Sequence, residues 1–151
     1  MSLRPFGLCV WPGVMAVLLI AEPLWAADPP LVAAAKAGDL AAVQRLLEAG
    51  ASPDQHDRHD NTALIFAARD GRLGIAEALI AVGADIDWID GEGVTPLILA
   101  AHKNHPAIAR LLLDRGAATD RRDKWGRRAL DYALRRGEDD AIAVMLRRAE
   151  P

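Results

Sequence analysis

Cysteine is almost absent from this sequence, which has 151 residues and a single cysteine, Cys9. Cys9 lies in an apolar N-terminal segment that we expect to be removed, so the mature chain would contain no thiol. The absence excludes disulfides, thiolate metal sites and a cysteine nucleophile. It also suits an oxidising compartment, in which a free thiol would be a liability.

Hydroxyl nucleophiles are scarce as well. After residue 26 the only serine is Ser52, which lies in a loop with no helical context to raise its reactivity. Thr62 and Thr95 each precede a helical pattern, a position at which threonine caps the first amide groups. Because catalysis needs a nucleophile or a clustered acid–base set, we predict that the chain is not an enzyme and binds no cofactor.

One long apolar run occupies residues 6–21, after the positive charge of Arg4 and before Glu22. The run is followed by a small residue, Ala26, and this order is typical of a secretory signal peptide. We therefore predict a signal peptide over residues 1–26 and export to the periplasm, or secretion. The alternative is an uncleaved membrane anchor. The run is shorter than the roughly 18–20 residues that span a bilayer, and Pro12 and Gly13 interrupt it, which favours cleavage.

The charges are distributed unevenly along a chain of net charge −3. From residue 27 to 109 acidic residues outnumber basic residues two to one, whereas from residue 110 onward basic residues predominate. This pattern predicts a molecule that is electrically polar from end to end. The basic segment 121–128, which contains Trp125, has the composition of a nucleic-acid site. Because the chain is acidic overall and carries an export pattern, we predict no nucleic-acid partner.

A period of 33 residues organises the rest of the chain. Gly50, Gly83 and Gly116 are spaced by 33, and each precedes an alanine. The same spacing relates Asp57, Asp90 and Asp123; Leu31, Leu64, Leu97 and Leu130; and Ala34, Ala67, Ala100 and Ala133. A fixed period of this length predicts stacked repeats, each of which buries its apolar face against its neighbours. The recurring aspartates are accordingly interpreted as turn-forming residues.

The third unit shows what one repeat builds. Thr95 and Pro96 have the chemistry of a helix start, because threonine caps the amides and proline fits the first helical position. Apolar residues at helical spacing follow, a short interruption precedes a second helix, and Gly116 stands where a left-handed residue ends it. A polar loop leads to the next unit. The predicted unit is therefore a helix, a turn, a second helix and an extended loop.

These residues resemble the ankyrin repeat, in the stretch from Asp90 through Thr95-Pro96 and in the second helix that ends at Gly116-Ala117. The resemblance covers residues 31–150. It implies an all-α solenoid of about four repeats with extended loop fingers, divided at 27–57, 58–90, 91–123 and 124–151. The first and last units depart from the pattern, as capping repeats do. The histidine that the family carries after Thr-Pro-Leu is replaced by Ile65, Ile98 and Asp131, so its link between repeats is not expected here.

The resemblance also implies a non-catalytic module that holds a protein partner with its loop tips and first helices. Tryptophan and arginine dominate such contacts, and several fall at positions that break the period. For Trp88 a fold over its own loop remains an equal alternative. The predicted partner-binding residues are Trp88, Ile89, Glu92, His102, Arg122, Lys124, Trp125, Arg127 and Arg135. We expect a monomer with no membrane span after cleavage.

Two alternative functions remain open at this point. His56 and His59 form a His-x-x-His pair in a loop rich in carboxylates, which would suit a metal-handling protein. We expect these histidines to be solvated or structural, because a loop binds metal weakly unless it closes on a partner. The other alternative is a binder that neutralises a toxin or an envelope enzyme, which only the identity of the partner would distinguish.

Overall fold

A computed structural model of the chain describes residues 27–150, and over this range the regular secondary structure is helical. Within these residues, eight helices form four contacting pairs, one in each predicted repeat. They are α1 (Pro30–Ala37), α2 (Leu40–Glu48), α3 (Ala63–Asp70), α4 (Leu73–Ala81), α5 (Pro96–Lys103), α6 (Pro106–Asp114), α7 (Ala129–Leu134) and α8 (Ala141–Ala149). The predicted signal peptide, residues 1–26, lies outside the described residues.

The helices stack in two layers. The odd-numbered helices, here called the inner helices, contact one another in the order α1, α3, α5, α7. The even-numbered helices, here called the outer helices, form a second row in the same order. Three loops connect the pairs: finger 1 (residues 49–62), finger 2 (residues 82–95) and finger 3 (residues 115–128). The predicted helical solenoid with loop fingers is therefore confirmed.

Threonine caps start the central repeats, as the sequence predicts. The Oγ1 atoms of Thr62 and Thr95 accept the backbone N–H of the residue three positions later, at 3.4 and 3.3 Å. The last repeat has Arg128 at this position, and a different group caps its helix. The carboxylate of Asp131 accepts the backbone N–H of Arg128 at 2.7 Å. Each cap satisfies an amide that a helix start leaves without an internal partner.

The glycines of the period follow the second helices and adopt left-handed backbone conformations. The φ angles of Gly50, Gly83 and Gly116 are 86°, 89° and 84°. A Cβ atom at any of the three would meet nothing within 4 Å. The backbone conformation, and not lack of space, therefore favours glycine here.

The recurring aspartates fold the fingers. In Asp57, Asp90 and Asp123, Oδ1 accepts the backbone N–H groups two and four residues later, at 2.8–3.0 Å. Asp57 and Asp123 are buried. A buried carboxylate that accepts several amide hydrogens holds its loop in one shape, which confirms the interpretation as turn-forming residues.

The apolar core runs through all four repeats without interruption. Leu31, Leu64, Leu97 and Leu130 are buried on the odd-numbered helices. The alanines at positions 67, 100 and 133 are fully buried, and their small side chains allow neighbouring helices to approach closely. No repeat could form this core by itself, because its apolar residues are buried against the neighbouring repeats.

The histidine that the family carries after Thr-Pro-Leu is absent here, and other residues make the polar contacts between repeats. Ile65 and Ile98, which replace it, are buried. His105, at the start of α6, places Nε2 3.1 Å from the carbonyl oxygen of Arg69 at the end of α3. Arg136 makes the corresponding contact one repeat later and donates to the carbonyl oxygen of Ala101 at 2.7 Å. The repeats are thus linked through the turns between their helices.

None of the helices between residues 27 and 150 combines the length and apolar character needed to cross a membrane.

Replacing a periodic leucine should destabilise the whole stack. Leu97 is 1% exposed, so Leu97→Ala should lower the free energy of unfolding by about 2–5 kcal/mol through lost burial and a residual cavity. Val82→Ala is the control, because Val82 is 50% exposed and its truncation should cost no more than about 0.5 kcal/mol. Urea unfolding followed by circular dichroism measures both. Equal losses in the two variants would contradict the proposed core.

Candidate functional site

A cleft of about 330 Å³ opens between fingers 2 and 3 and the inner helices α5 and α7. Its walls come from the fingers, and its floor comes from the two helices. The predicted contact residues that line it are Glu92, His102, Trp125, Arg127 and Arg135. The remaining four predicted residues lie outside it. The structure therefore brings together five of the nine predicted residues, and all five belong to the last two repeats.

Tyr132 on α7 forms part of the cleft floor, and it is not among the residues predicted from the sequence. The Cζ atoms of Arg127 and Arg135 lie 4.7 and 5.2 Å from the centroid of its ring. The ring of His102 lies 4.8 Å away, centroid to centroid. Its position in the repeat is occupied by Phe66 and by leucine in the two preceding units, so it resembles a core position. The available signal was that it is the only tyrosine in the chain.

Arg127 lies between two aromatic rings. Its Cζ atom is 4.8 Å from the ring centroid of Trp125 and 4.7 Å from that of Tyr132. Both distances are within the range of cation–π attraction. Its Nε atom is buried and 3.6 Å from Oδ2 of Asp123, and within the described residues it has no hydrogen-bond partner. The guanidinium is therefore positioned by the two rings and by the charge of Asp123.

Asp123 and Tyr132 form a buried pair beneath Arg127. The Tyr132 hydroxyl donates to Oδ2 of Asp123 at 2.5 Å. Burial opposes the charge on Asp123. The hydrogen bonds from Tyr132 and the finger 3 amides, together with the charge of Arg127, outweigh it and lower the pKa of the carboxyl. Burial and the Asp123 charge raise the pKa of Tyr132. The pair is thus a carboxylate with a neutral phenol at neutral pH.

His102 lies on the cationic side of the cleft. Burial lowers the pKa of His102, and the charges of Lys103, Arg135, Arg127 and Arg136 lower it further. An imidazole becomes harder to protonate where cations already crowd it. His102 is therefore neutral at neutral pH.

Lys124 and Arg122 stabilise the fingers. The Nζ atom of Lys124 lies 2.5 Å from Oε1 of Glu92 and 4.5 Å from the centroid of the Trp125 ring. The guanidinium of Arg122 donates to the carbonyl oxygen of Gly126 at 2.7 Å. Lys124 thus joins fingers 2 and 3, while Arg122 closes the tip of finger 3.

The side chain of Trp88, a residue of finger 2, packs against finger 1 and not against its own loop. Its Nε1–H donates to the carbonyl oxygen of Asp60 in finger 1 at 2.7 Å, and its ring lies 5.2 Å from that of His56. The alternative of a fold over its own loop is therefore wrong, because finger 1 offers the indole both an acceptor and an aromatic face. Ile89, next in sequence, is 52% exposed and outside the cleft.

The two loop histidines have separate contacts. Nε2 of His56 is 3.8 Å from a carboxylate oxygen of Asp60, and Nε2 of His59 accepts a hydrogen bond from Arg58 at 3.1 Å. Across residues 27–150, no three histidine, cysteine or acidic side chains are grouped so that they could hold a metal ion. In this part of the chain, His56 and His59 therefore have no third side chain placed to bind a metal ion with them.

The stacked helix pairs and the loop fingers define a solenoid repeat protein. The family model for ankyrin repeats, described as three copies, matches residues 15–90 and 74–151. The chain belongs to the ankyrin-repeat family, whose repeats are protein–protein interaction modules and are generally non-catalytic. Among curated proteins, none matches the sequence.

Asp123→Asn should show what the buried carboxylate contributes. Its pKa is lowered on folding, so its contribution is present above the unfolded value of about 3.9 and is lost as the pH falls through the folded value. We expect a loss of about 1–3 kcal/mol in the free energy of unfolding at pH 7, and a smaller difference from wild type at pH 3. Urea titrations at the two pH values measure this, with exposed Asp120→Asn as the control. A difference that did not change with pH would contradict the assignment.

Proposed function

We propose that this protein is an exported, non-catalytic adaptor that holds a protein partner in the cleft between fingers 2 and 3. The observation that carries the proposal is the placement of Trp125. Its side chain remains 54% exposed at the edge of the cleft, although cations lie over its ring from both Lys124 and Arg127. A large aromatic ring that is fixed and still accessible is the type of residue that dominates protein interfaces.

The polarity of the cleft supports the same conclusion. It combines the apolar side chains of Ile98 and Leu99 with the cationic groups around Tyr132. Interface centres commonly combine apolar burial with arginine and aromatic residues. Asp123 and Tyr132, whose pKa values are lowered and raised respectively, are bonded to each other beneath the surface of the cleft. Their contacts stabilise the loop and the floor, and none of them prepares a nucleophile.

The export component rests on the sequence of residues 1–26 alone. A charged start, an uncharged apolar run, a break at Glu22 and a small residue at Ala26 form the order that a signal peptidase substrate has. A mature chain without cysteine suits the periplasm. The partner is then a protein of the same compartment.

Trp125→Ala should remove partner capture without unfolding the protein. Loss of a central aromatic contact is expected to cost about 2 kcal/mol or more, which weakens binding about thirtyfold. The tagged protein is incubated with an envelope extract, and bound proteins are identified by mass spectrometry. Val82→Ala is the control, because Val82 is similarly exposed and lies at the end of α4 outside the cleft. If every captured protein bound equally to wild type and Trp125→Ala, this surface would not be the binding site.

Export should be visible as the loss of the N-terminal segment. When the full-length sequence is expressed in a bacterial host, we expect the periplasmic protein to begin at Ala27, as measured by intact mass. Leu18→Arg places a charge in the apolar run and should leave an uncleaved precursor inside the cell, whereas Leu18→Ala should be processed. Recovery of a membrane-bound wild-type protein that still begins at Met1 would contradict the proposal.

A further inference from the structure

A row of basic residues follows the inner face, with one in each repeat. Lys36, Arg69, His102 and Arg135 are spaced by 33 residues and lie at or just after the ends of α1, α3, α5 and α7. Each one contacts an aromatic ring. Lys36 and Arg69 lie 4.5 and 4.6 Å from the centroid of Phe66, and the other two flank Tyr132. We call this set the basic row.

The two halves of the basic row differ in how their charge is neutralised. Lys36 pairs with Asp28 at 2.7 Å and with Asp57 at 3.2 Å. Arg69 forms two hydrogen bonds with Asp70, at 2.8 and 3.0 Å. In the described part of the chain, no carboxylate forms a salt bridge with His102, with its neighbour Lys103 or with Arg135. The first half of the row is therefore internally neutralised. In the second half Arg135 keeps an uncompensated charge, and His102, whose pKa is lowered, is neutral at pH 7.

Carboxylates offset part of the positive charge of the cleft. Glu92 is paired with Lys124, and Asp123, beneath the floor, lies 3.6 Å from Nε of Arg127. Asp90 keeps its negative charge while Oδ1 accepts two amide hydrogens of finger 2. Lys103 and Arg135 have no salt bridge among the described residues, so the part of the cleft next to Tyr132 keeps a positive excess.

Arg127 is held in place beside the open cleft. Its Cζ atom lies 4.8 and 4.7 Å from the ring centroids of Trp125 and Tyr132, and its buried Nε faces Oδ2 of Asp123 at 3.6 Å. The donors that remain for a ligand are the two Nη groups, which have the planar geometry that carboxylates accept.

We propose that the cleft binds an acidic peptide segment of a protein partner, with a carboxylate between Arg127 and Arg135 above Tyr132 and an apolar side chain against Trp125. This proposal rests on the proposed function and specifies the chemistry of the partner. It follows from charge complementarity: a cleft with surplus cations, an exposed indole and unused guanidinium donors fits alternating acidic and apolar side chains. His102 at the edge supplies a further donor to the same carboxylate.

The first experiment selects the ligand without assuming its chemistry. A phage library of random peptides is selected on the immobilised full-length protein, and the clones are compared on Trp125→Ala and Arg135→Glu. We expect the clones that both substitutions remove to be rich in aspartate and glutamate next to apolar residues. If the clones that need Trp125 are not acidic, the present proposal is wrong while the proposed function stands. If no clone depends on either residue, both are wrong.

The second experiment measures the charge contact directly by calorimetry with one selected peptide. Arg135→Gln should weaken binding about tenfold or more, because the carboxylate loses a charged donor. Arg148→Gln removes the same charge from the outer helix α8 and should change the affinity less than about twofold. Arg135→Glu should regain affinity for the same peptide with lysine in place of its glutamates. Failure of this charge exchange would overturn the proposed carboxylate contact.

Two further measurements distinguish a peptide ligand from a second copy of this chain, whose acidic first half would also suit a basic cleft. Nuclear magnetic resonance follows the His102 ring, and its pKa should rise when the acidic peptide binds, because an anion then stabilises the imidazolium. Analytical ultracentrifugation should show one species for wild type and for Arg135→Glu. A wild-type dimer that dissociates in Arg135→Glu would overturn the proposal in favour of self-association.

Discussion

Burial of one apolar face per repeat against the next repeat is the constraint on which the rest of the structure depends. Each helix pair has too little apolar surface to form a core by itself, so the periodic leucines and alanines must remain aligned from α1 to α8. This requirement determines the distance between successive inner helices. It also determines the distance between successive fingers, and therefore the width of the cleft between α5 and α7.

The repeats share the same backbone fold but differ in whether carboxylates neutralise the cations of the inner helices. Finger 1 and its neighbours use carboxylates to neutralise the cations of the inner face, through Asp28, Asp57 and Asp70. Further along, the equivalent positions are His102, whose pKa is lowered, and Arg135, which contacts the Tyr132 ring and forms no salt bridge with a carboxylate among the described residues. An aromatic ring holds a cation in position without cancelling its charge, so the last two repeats retain a field that the first two lack.

The period makes most of the fold predictable, because apolar residues that recur every 33 positions indicate repeats that stack and bury these residues against one another. It also identifies part of the site. Trp125 and Arg127 break the pattern and line the cleft, whereas Arg135, which also lines it, keeps the 33-residue spacing of the basic row. Tyr132 was not predictable in the same way, because its position in the repeat is apolar in earlier units and its role appears only when Asp123 is brought beneath it. For Trp88 the sequence could not show which finger the indole contacts, since this depends on how adjacent fingers stack.

The two oxygens of Asp123 serve different parts of the molecule. One accepts the amides that shape finger 3, and the other accepts the hydroxyl of Tyr132 on the floor of the cleft. Wall and floor consequently share a single anchor and cannot shift independently without breaking a buried charged hydrogen bond. An incoming partner would meet a cleft that already has its final geometry, and little conformational entropy would remain to be lost from this side of the interface. Selectivity would then depend on how well the partner fits, because a wall held in this way has little freedom to adapt to a poor match.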